Sequence, residues 1–322
     1  MVATRNRSRA AMSDSSIEAE KVDGEFVRQD DQFRDWVSRD GSSGYPAAAG
    51  RYHLYVSLAC PWAHRTLIVR KLKKLEDVIG VTVADPLRTE DESWGFRAPY
   101  GLDPINGFTF LGQAYRATDP DYSGRVTVPV LWDGETGRIV SNADEEIIRM
   151  LTSAFDDFTD SRLDLYPEAL RPAIDQINEP IYEYVNNGVY RAGFADTQTA
   201  YEQAVGQLFV TLDQLEERLA GQRYLVGDQL TEADWRLFPT LIRFDEVYHG
   251  HFKCNIRRIV DYPNLWGYTR ELYQVEGVAE TVNFDHIKRH YYITHDDINP
   301  TGIVPVGPGL DLLAPHGRDR AY

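Results

Sequence analysis

The segment Y-V-S-L-A-C-P-W-A-H-R-T (55–66) carries Cys60, one of only two cysteines in 322 residues, directly before Pro61 and Trp62. If a strand ends and a helix begins here, unpaired backbone N–H groups and the positive end of the helix dipole face the sulfur. Such cysteines can have pKa values lowered from ~8.5 into roughly the 3.5 to 7.5 range, which makes a nucleophilic thiolate. A dithiol redox motif needs a second cysteine three positions on, and that position is Ala63. Cys60 is therefore expected to form a mixed disulfide that only an external thiol resolves. The plain alternative is a small apolar side chain buried at a crowded turn.

Pro129 is the second chemical signal. It interrupts R-V-T-V-P-V-L-W (125–132), which otherwise reads as a central strand, so it belongs at an edge, at a bulge or in the cis form. In thioredoxin-like folds a cis-proline lies against the active thiol, and the residue before it, here Val128, offers its backbone to a peptide-like thiol. An ordinary edge-strand proline is the alternative.

Three other constellations carry less. H-G-H-F-K-C (249–254) gathers two imidazoles and a thiol at a spacing that could ligate zinc, but a closed site needs a fourth ligand. His286, His290 and His295 qualify only if the fold brings them close, so structural histidines and no metal are the expectation. His64 and Arg65 follow the nucleophile and could lend it positive charge. Asp156, Asp157, Asp160 and Asp164 lack the glycine turn and terminal Glu of a calcium loop and read as a solvated linker.

The elements that must position Cys60 are legible around it. Tyr52, Leu54, Val56 and Leu58 alternate with His53, Tyr55 and Ser57, the period of a strand. Pro61 opens a helical pattern through Leu67, Ile68, Leu72 and Leu75, where a proline is tolerated in the first turn. Val81–Val83 is a second strand. A hairpin follows at 125–132 and 138–140 around Asp133-Gly134 and Gly137, then a helix at 144–150. This order is that of an α/β thioredoxin-like domain. Beyond about Phe155 strand signals stop, and 174–185, 200–219 and 233–244 carry apolar residues at helical spacing. Thr231-Glu232-Ala233-Asp234 resembles a capping box. The reading is a 1–50 N-terminal extension, a 51–155 thioredoxin-like thiol-binding domain, and a 156–322 all-helical C-terminal domain with a C-terminal extension.

Composition narrows the partners. The net charge of −16 disfavours nucleic acid and anionic membranes. No apolar stretch approaches the ~20 residues of a membrane span, and the Arg5, Arg7, Arg9 start lacks the apolar core of a signal peptide. Two cysteines point to a reducing compartment, hence the cytoplasm. Only six of the 34 basic residues are Lys. An acid-rich, Lys-poor surface suits a high-salt cytoplasm, and a GC-rich genome would also favour Arg.

The sequence resembles the glutathionyl-hydroquinone reductases, the Xi class of glutathione transferases. The resemblance rests on the Cys60 segment, Y-S-G-R-V-T-V-P-V-L-W-D, V-N-N-G-V-Y-R-A-G-F-A, R-Y-L-V-G-D-Q-L-T-E-A-D, H-F-K-C, V-N-F-D-H-I-K-R-H-Y, I-N-P-T-G-I and P-H-G-R-D. It covers the chain from about residue 50 to its end. It implies a homodimer with a glutathione-transferase fold, in which the cysteine attacks the sulfur of a glutathionyl-hydroquinone, hydroquinone leaves, and a second glutathione releases the thiol as a disulfide. Carried over, the nucleophile is Cys60. The thiol-binding set is Trp94, Arg125, the backbone of Val128, and Asp144. The quinol-binding set is Tyr190, Tyr248 and Tyr291, whose rings can stack on a quinol while their hydroxyls address its oxygens.

One departure stands out. After I-V-S-N the family usually carries Glu-Ser, which holds the γ-glutamyl amino and carboxylate groups, whereas this chain has Ala143-Asp144. Asp144 can still take the ammonium and cap the helix. Affinity for glutathione is thereby in question, and γ-glutamylcysteine is the alternative cosubstrate. Two rival functions remain open at this level: a glutaredoxin-like deglutathionylase, and a non-catalytic binding protein on the same fold.

Overall fold

The computed structural model describes residues 21–22, 24–89 and 93–319. The Arg5–Arg9 start lies outside them. The described part of the N-terminal extension is fastened to the rest of the molecule. Strands β1 (Lys21–Val22) and β2 (Glu25–Phe26) pair antiparallel, and β3 (Val37–Ser38) pairs in parallel with β4 (Tyr45–Pro46). Between these pairs, Phe33 and Asn142 are joined twice: Phe33 N–H donates to Asn142 Oδ1 and Asn142 N–H donates to Phe33 O, both at 3.0 Å.

The central sheet has the order β6-β5-β7-β8. Strand β5 (Tyr52–Val56) leads through a three-residue loop and Cys60 into helix α1 (Pro61–Leu72), and β6 (Gly80–Val83) returns parallel to β5. After α2 (Gly112–Thr118), strand β7 (Val130–Asp133) runs antiparallel to β5, and β8 (Arg138–Ser141) antiparallel to β7. Helix α3 (Asp144–Ser153) follows. All five residues of β5 are buried, including both members of its alternation, because the strand is covered on two faces. Its polar side chains find partners there: His53 Nε2 lies 2.7 Å from Thr82 Oγ1, and Tyr55 donates to Asp103 at 3.0 Å.

The strand expected over 125–132 begins only at Val130. Pro129 has no N–H for the ladder, its bond to Val128 is cis, and 125–129 runs as irregular backbone in front of the sheet.

The remainder is helical. Helix α4 (Arg171–Pro180) continues as a π-turn over 181–186. Then come α5 (Gly188–Gly193), α6 (Gln198–Gly221), α7 (Glu232–Arg243) with a π-turn over 244–248, α8 (Pro263–Tyr273) and α9 (Phe284–Thr294). The expected capping interaction is present: Asp234 accepts from Thr231 N–H at 2.8 Å. Helix α1 packs between α3 and α7, which buries every residue from Pro61 to Val69. No helix among the described residues is long and apolar enough to cross a membrane.

Candidate active site

Cys60 is the N-cap residue of α1, half-buried, with Pro61 at the first helical position. Its N–H donates to Ser57 O at 3.1 Å, which closes the loop after β5. Its Sγ faces Val128 O at 3.4 Å, so the cis Val128–Pro129 peptide lies against the thiol as expected. The backbone N–H groups of Ala63 and Trp62 also point at the sulfur. The expected depression of its pKa is not what results: burial pushes the thiol above its ordinary value, and the two N–H groups and Arg243 only partly offset this. The helix terminus is present, but the cost of burying the charged sulfur outweighs it.

Sequence reasoning missed Arg243. It is the last residue of α7 and fully buried, and its guanidinium holds the loop that carries Cys60. Nε donates to Ala59 O and Nη2 to Leu58 O, both at 3.0 Å, while Nη1 donates to Pro239 O and approaches His64 Nδ1, again at 3.0 Å. A guanidinium has no acceptor, so His64 Nδ1 accepts and its proton sits on Nε2, donated to Thr281 Oγ1 at 2.8 Å. Burial, and then Arg243, hold the His64 pKa well below its usual value. His64 is therefore neutral and lends Cys60 no charge. Arg65 also turns elsewhere, to Asp144 at 2.8 Å, Asn186 at 2.6 Å and the carbonyl of Arg236 at 2.9 Å. In sequence, Arg243 is only a charged residue at a helix end, and nothing there points to a partner on the far side of the fold.

Two cavities adjoin here, and the sulfur opens on the smaller. The smaller, of about 80 Å³, is lined by Cys60, Trp94, Arg125, Val128, Tyr190 and Tyr291 among others. The larger, of about 280 Å³, is lined by Arg125, Val128 and Asp144, by Trp62 and Arg236, and by residues 28–32 and 34 of the N-terminal extension. Arg125 and Val128 thus border both, Trp94 only the smaller and Asp144 only the larger. Trp94 stacks on His290 with ring centres 5.1 Å apart.

Asp144 does not cap α3. The N-cap is Ala143, which has no polar side chain, and Asp144 is the first helical residue, spent on Arg65. Burial raises its pKa despite that guanidinium. The extension supplies a further carboxylate that the sequence did not flag: Asp31, pushed up to about 7 by burial and then by Asp144 and Glu145. It also supplies Arg28, which donates to Asn187 Oδ1 at 2.9 Å and lies 4.7 Å from the Trp62 ring and 5.1 Å from the Tyr190 ring. Aromatic contacts dock this segment: Phe26 lies 6.3 Å from the Tyr190 ring and 5.6 Å from Phe194, and Phe33 lies 5.6 Å from Tyr115.

The three tyrosines do converge. Tyr291 Oη lies 2.5 Å from Tyr190 Oη and 3.0 Å from Tyr248 Oη. They come from α9, α5 and the π-turn after α7. Tyr248 is fully buried and does not line the smaller cavity itself; it backs Tyr291 and Tyr190, which do. Burial raises all three phenol pKa values, so each is a neutral donor. Gly193 makes room for this wall, since a Cβ there would fall within the ring of Phe252, which stacks on Tyr248.

The histidine-rich stretch lies behind the site. His251 Nε2 is 3.1 Å from His295 Nδ1, and burial lowers His251 and His290 to about 4. Cys254 is fully buried, its thiol pushed up by burial. Among the described residues no group of three or more His, Cys, Asp or Glu side chains forms a metal-ligand set.

Residues 59–154 match the family model described as the glutathione S-transferase N-terminal domain, and 198–271 match that of the C-terminal domain. The chain is 53% identical over 318 residues to the glutathionyl-hydroquinone reductase YqjG of Escherichia coli, covering 96% of this chain and 97% of that protein. The glutathione-bound structure of YqjG superposes with a TM-score of 0.87 at 54% identity, covering 89% and 96% of the two chains. The Xi-class glutathione transferase of Natrialba magadii does so with 0.87 at 53%, covering 89% and 88%. The chain belongs to the Xi-class glutathione transferases, the family of the glutathionyl-hydroquinone reductases.

Proposed function

We propose that this protein is a thiol-dependent reductase that strips the thiol from glutathionyl-type hydroquinone conjugates. The observation that carries the reading is that Cys60, Tyr190 and Tyr291 line one small cavity, which adjoins the larger one across Arg125 and Val128. An aromatic conjugate would lie against the tyrosines with its peptide part along Val128 and Arg125. Cys60 thiolate attacks the sulfur of the conjugate and forms an S–S bond. The C–S bond breaks, its electron pair goes to the ring carbon, and that carbon takes up a proton. A second thiol attacks the mixed disulfide, frees Cys60 and leaves as a disulfide, so one conjugate and one thiol give one hydroquinone and one disulfide. The tyrosine hydroxyls donate to the quinol oxygens as charge develops. Conjugating transferase activity is expected to be weak, because a cysteine forms a disulfide with the thiol instead of holding it as a free thiolate.

The thiol cosubstrate is of the glutathione type, and we infer that the physiological one is γ-glutamylcysteine. Ala143 in place of the family's usual Glu supports a changed thiol. Trp94 and Arg125 are the residues that would hold the glycine, which γ-glutamylcysteine lacks. We further take residues 51–155 and 156–322 as the two domains of a cytoplasmic homodimer. A high-salt host is supported by the net charge of −16.

The test is steady-state reduction of a glutathionyl-hydroquinone and of its γ-glutamylcysteinyl counterpart at the salt optimum. Turnover that vanishes in Cys60→Ser and favours γ-glutamylcysteine is expected. Equal turnover with both thiols would remove the preference, and no wild-type turnover would remove the reductase reading.

A further inference from the structure

The larger cavity holds more charge than the protein's own pairings use. Asp144 is matched by Arg65 at 2.8 Å, and Glu145 and Glu146 by Arg34 at 3.1 and 2.7 Å. Asp31 has no such match: among the described residues it forms no ion pair, and its one hydrogen bond is a long one from Asn142 Nδ2 at 3.4 Å. Arg236, only 9% exposed, lines the same cavity. Its Nε is buried with no hydrogen-bond partner; its one ion pair among the described residues, to Glu232, is 3.7 Å long, and Arg149 bonds that carboxylate more closely at 2.7 Å, while Asp144, which also attracts it, is bonded by Arg65 at 2.8 Å. One carboxylate and one guanidinium are left over on the wall of one cavity, and a group with both charges complements both.

We propose that this cavity seats the α-amino acid head of the cosubstrate as a zwitterion, with Asp31 accepting from its ammonium and Arg236 donating to its carboxylate. The proposal rests on the thiol-dependent reading above and assigns the ammonium to the N-terminal extension instead of to Asp144, whose charge Arg65 already uses. The head is common to glutathione and γ-glutamylcysteine, so the subsite accepts both and rejects thiols that lack it. The environment of Asp31 agrees. Asp144 and Glu145 from α3 face it and favour its protonated form, Arg28 and Arg34 from its own segment oppose them, and the balance with burial puts its titration at about 7. An ammonium counter-charge favours the ionised form, so affinity for the head should fall as pH drops below that value.

The test is calorimetric binding of S-methylglutathione to the full-length protein, against two analogues that lack only the α-ammonium or only the α-carboxylate of the head. These probes carry no free thiol and report binding independently of quinol reduction. A charged hydrogen bond of this kind corresponds to about a tenfold change in affinity or more. Wild type should bind each analogue about tenfold more weakly than S-methylglutathione. Asp31→Asn should lose about tenfold for S-methylglutathione and bind it and the des-amino analogue alike. Discrimination against the des-amino analogue that persists in Asp31→Asn overturns the assignment, as does equal binding of all three probes by wild type. No binding of S-methylglutathione at any pH overturns this subsite, whereas the reductase reading stands or falls on turnover. Binding with normal discrimination but no quinol reduction overturns only the latter.

Discussion

Arg243 Nε donates at 3.0 Å to the carbonyl of Ala59, the residue immediately before Cys60, so a helix of the C-terminal half fixes the position of a thiol in the N-terminal half. Arg243→Lys keeps the charge but cannot span the carbonyls of Leu58, Ala59 and Pro239. Each buried carbonyl left without a donor costs about 1–3 kcal/mol, so a loss of about 3 kcal/mol in urea unfolding is expected. The variant should also lower kcat more than it raises KM, because the sulfur is displaced while the cavities keep their walls. An unchanged unfolding midpoint would show that the clamp is dispensable.

The raised pKa of Cys60 sets a pH dependence. Below that pKa the reactive thiolate is the minor form, and its fraction grows about tenfold per pH unit. Alkylation of Cys60 by iodoacetamide should therefore accelerate continuously from neutral into alkaline solution. A plateau reached below pH 7 would mean that the helix terminus, not burial, governs the sulfur.

Tyr291 is the hub of the phenol cluster, bonded to both Tyr190 and Tyr248. Tyr291→Phe leaves the buried Tyr248 hydroxyl without that partner, at a cost of about 1–3 kcal/mol. Loss of positioned proton donors typically lowers a rate by 10²–10⁴-fold, and quinol reduction should fall toward that range. Exchange of Cys60 with a small disulfide, which needs no quinol contact, should change little. Equal losses in both assays would point to a damaged fold instead.

Arg28 joins the extension to the site by its bond to Asn187 and its approach to Trp62 and Tyr190. Arg28→Ala removes the hydrogen bond and stacking worth about 1–2 kcal/mol, so KM for the thiol should rise about tenfold. An unchanged KM, measured at fixed conjugate concentration, would place the extension outside the binding step.

What could be read along the chain was local or periodic. Pro61 after an alternating strand located the helix start and Cys60, and apolar spacing located the helices of the second half. The three tyrosines came only through family resemblance, since 19 tyrosines in one chain carry no periodic signal that singles out three. Long-range pairing was invisible: Arg243 and Ala59, Arg65 and Asp144, and Asp31 beside Asp144 are contacts between distant segments. The direction of the Cys60 shift was missed for a related reason. A helix dipole can be inferred from Pro61 alone, but the depth of burial that outweighs it depends on α3, α7 and the extension together.

The chain of hydroxyls from Tyr248 through Tyr291 to Tyr190 has a polarity that no heavy atom fixes. Each phenol proton can swing between neighbours, so rotating the protons reverses the sense of the whole chain. With one sense the wall presents a donor to an oxygen that is gaining electrons, and with the other an acceptor for a hydroxyl that is still neutral. In the reaction proposed above, both needs are met by one hydrogen-bonded chain, with the switch made by hydrogens alone.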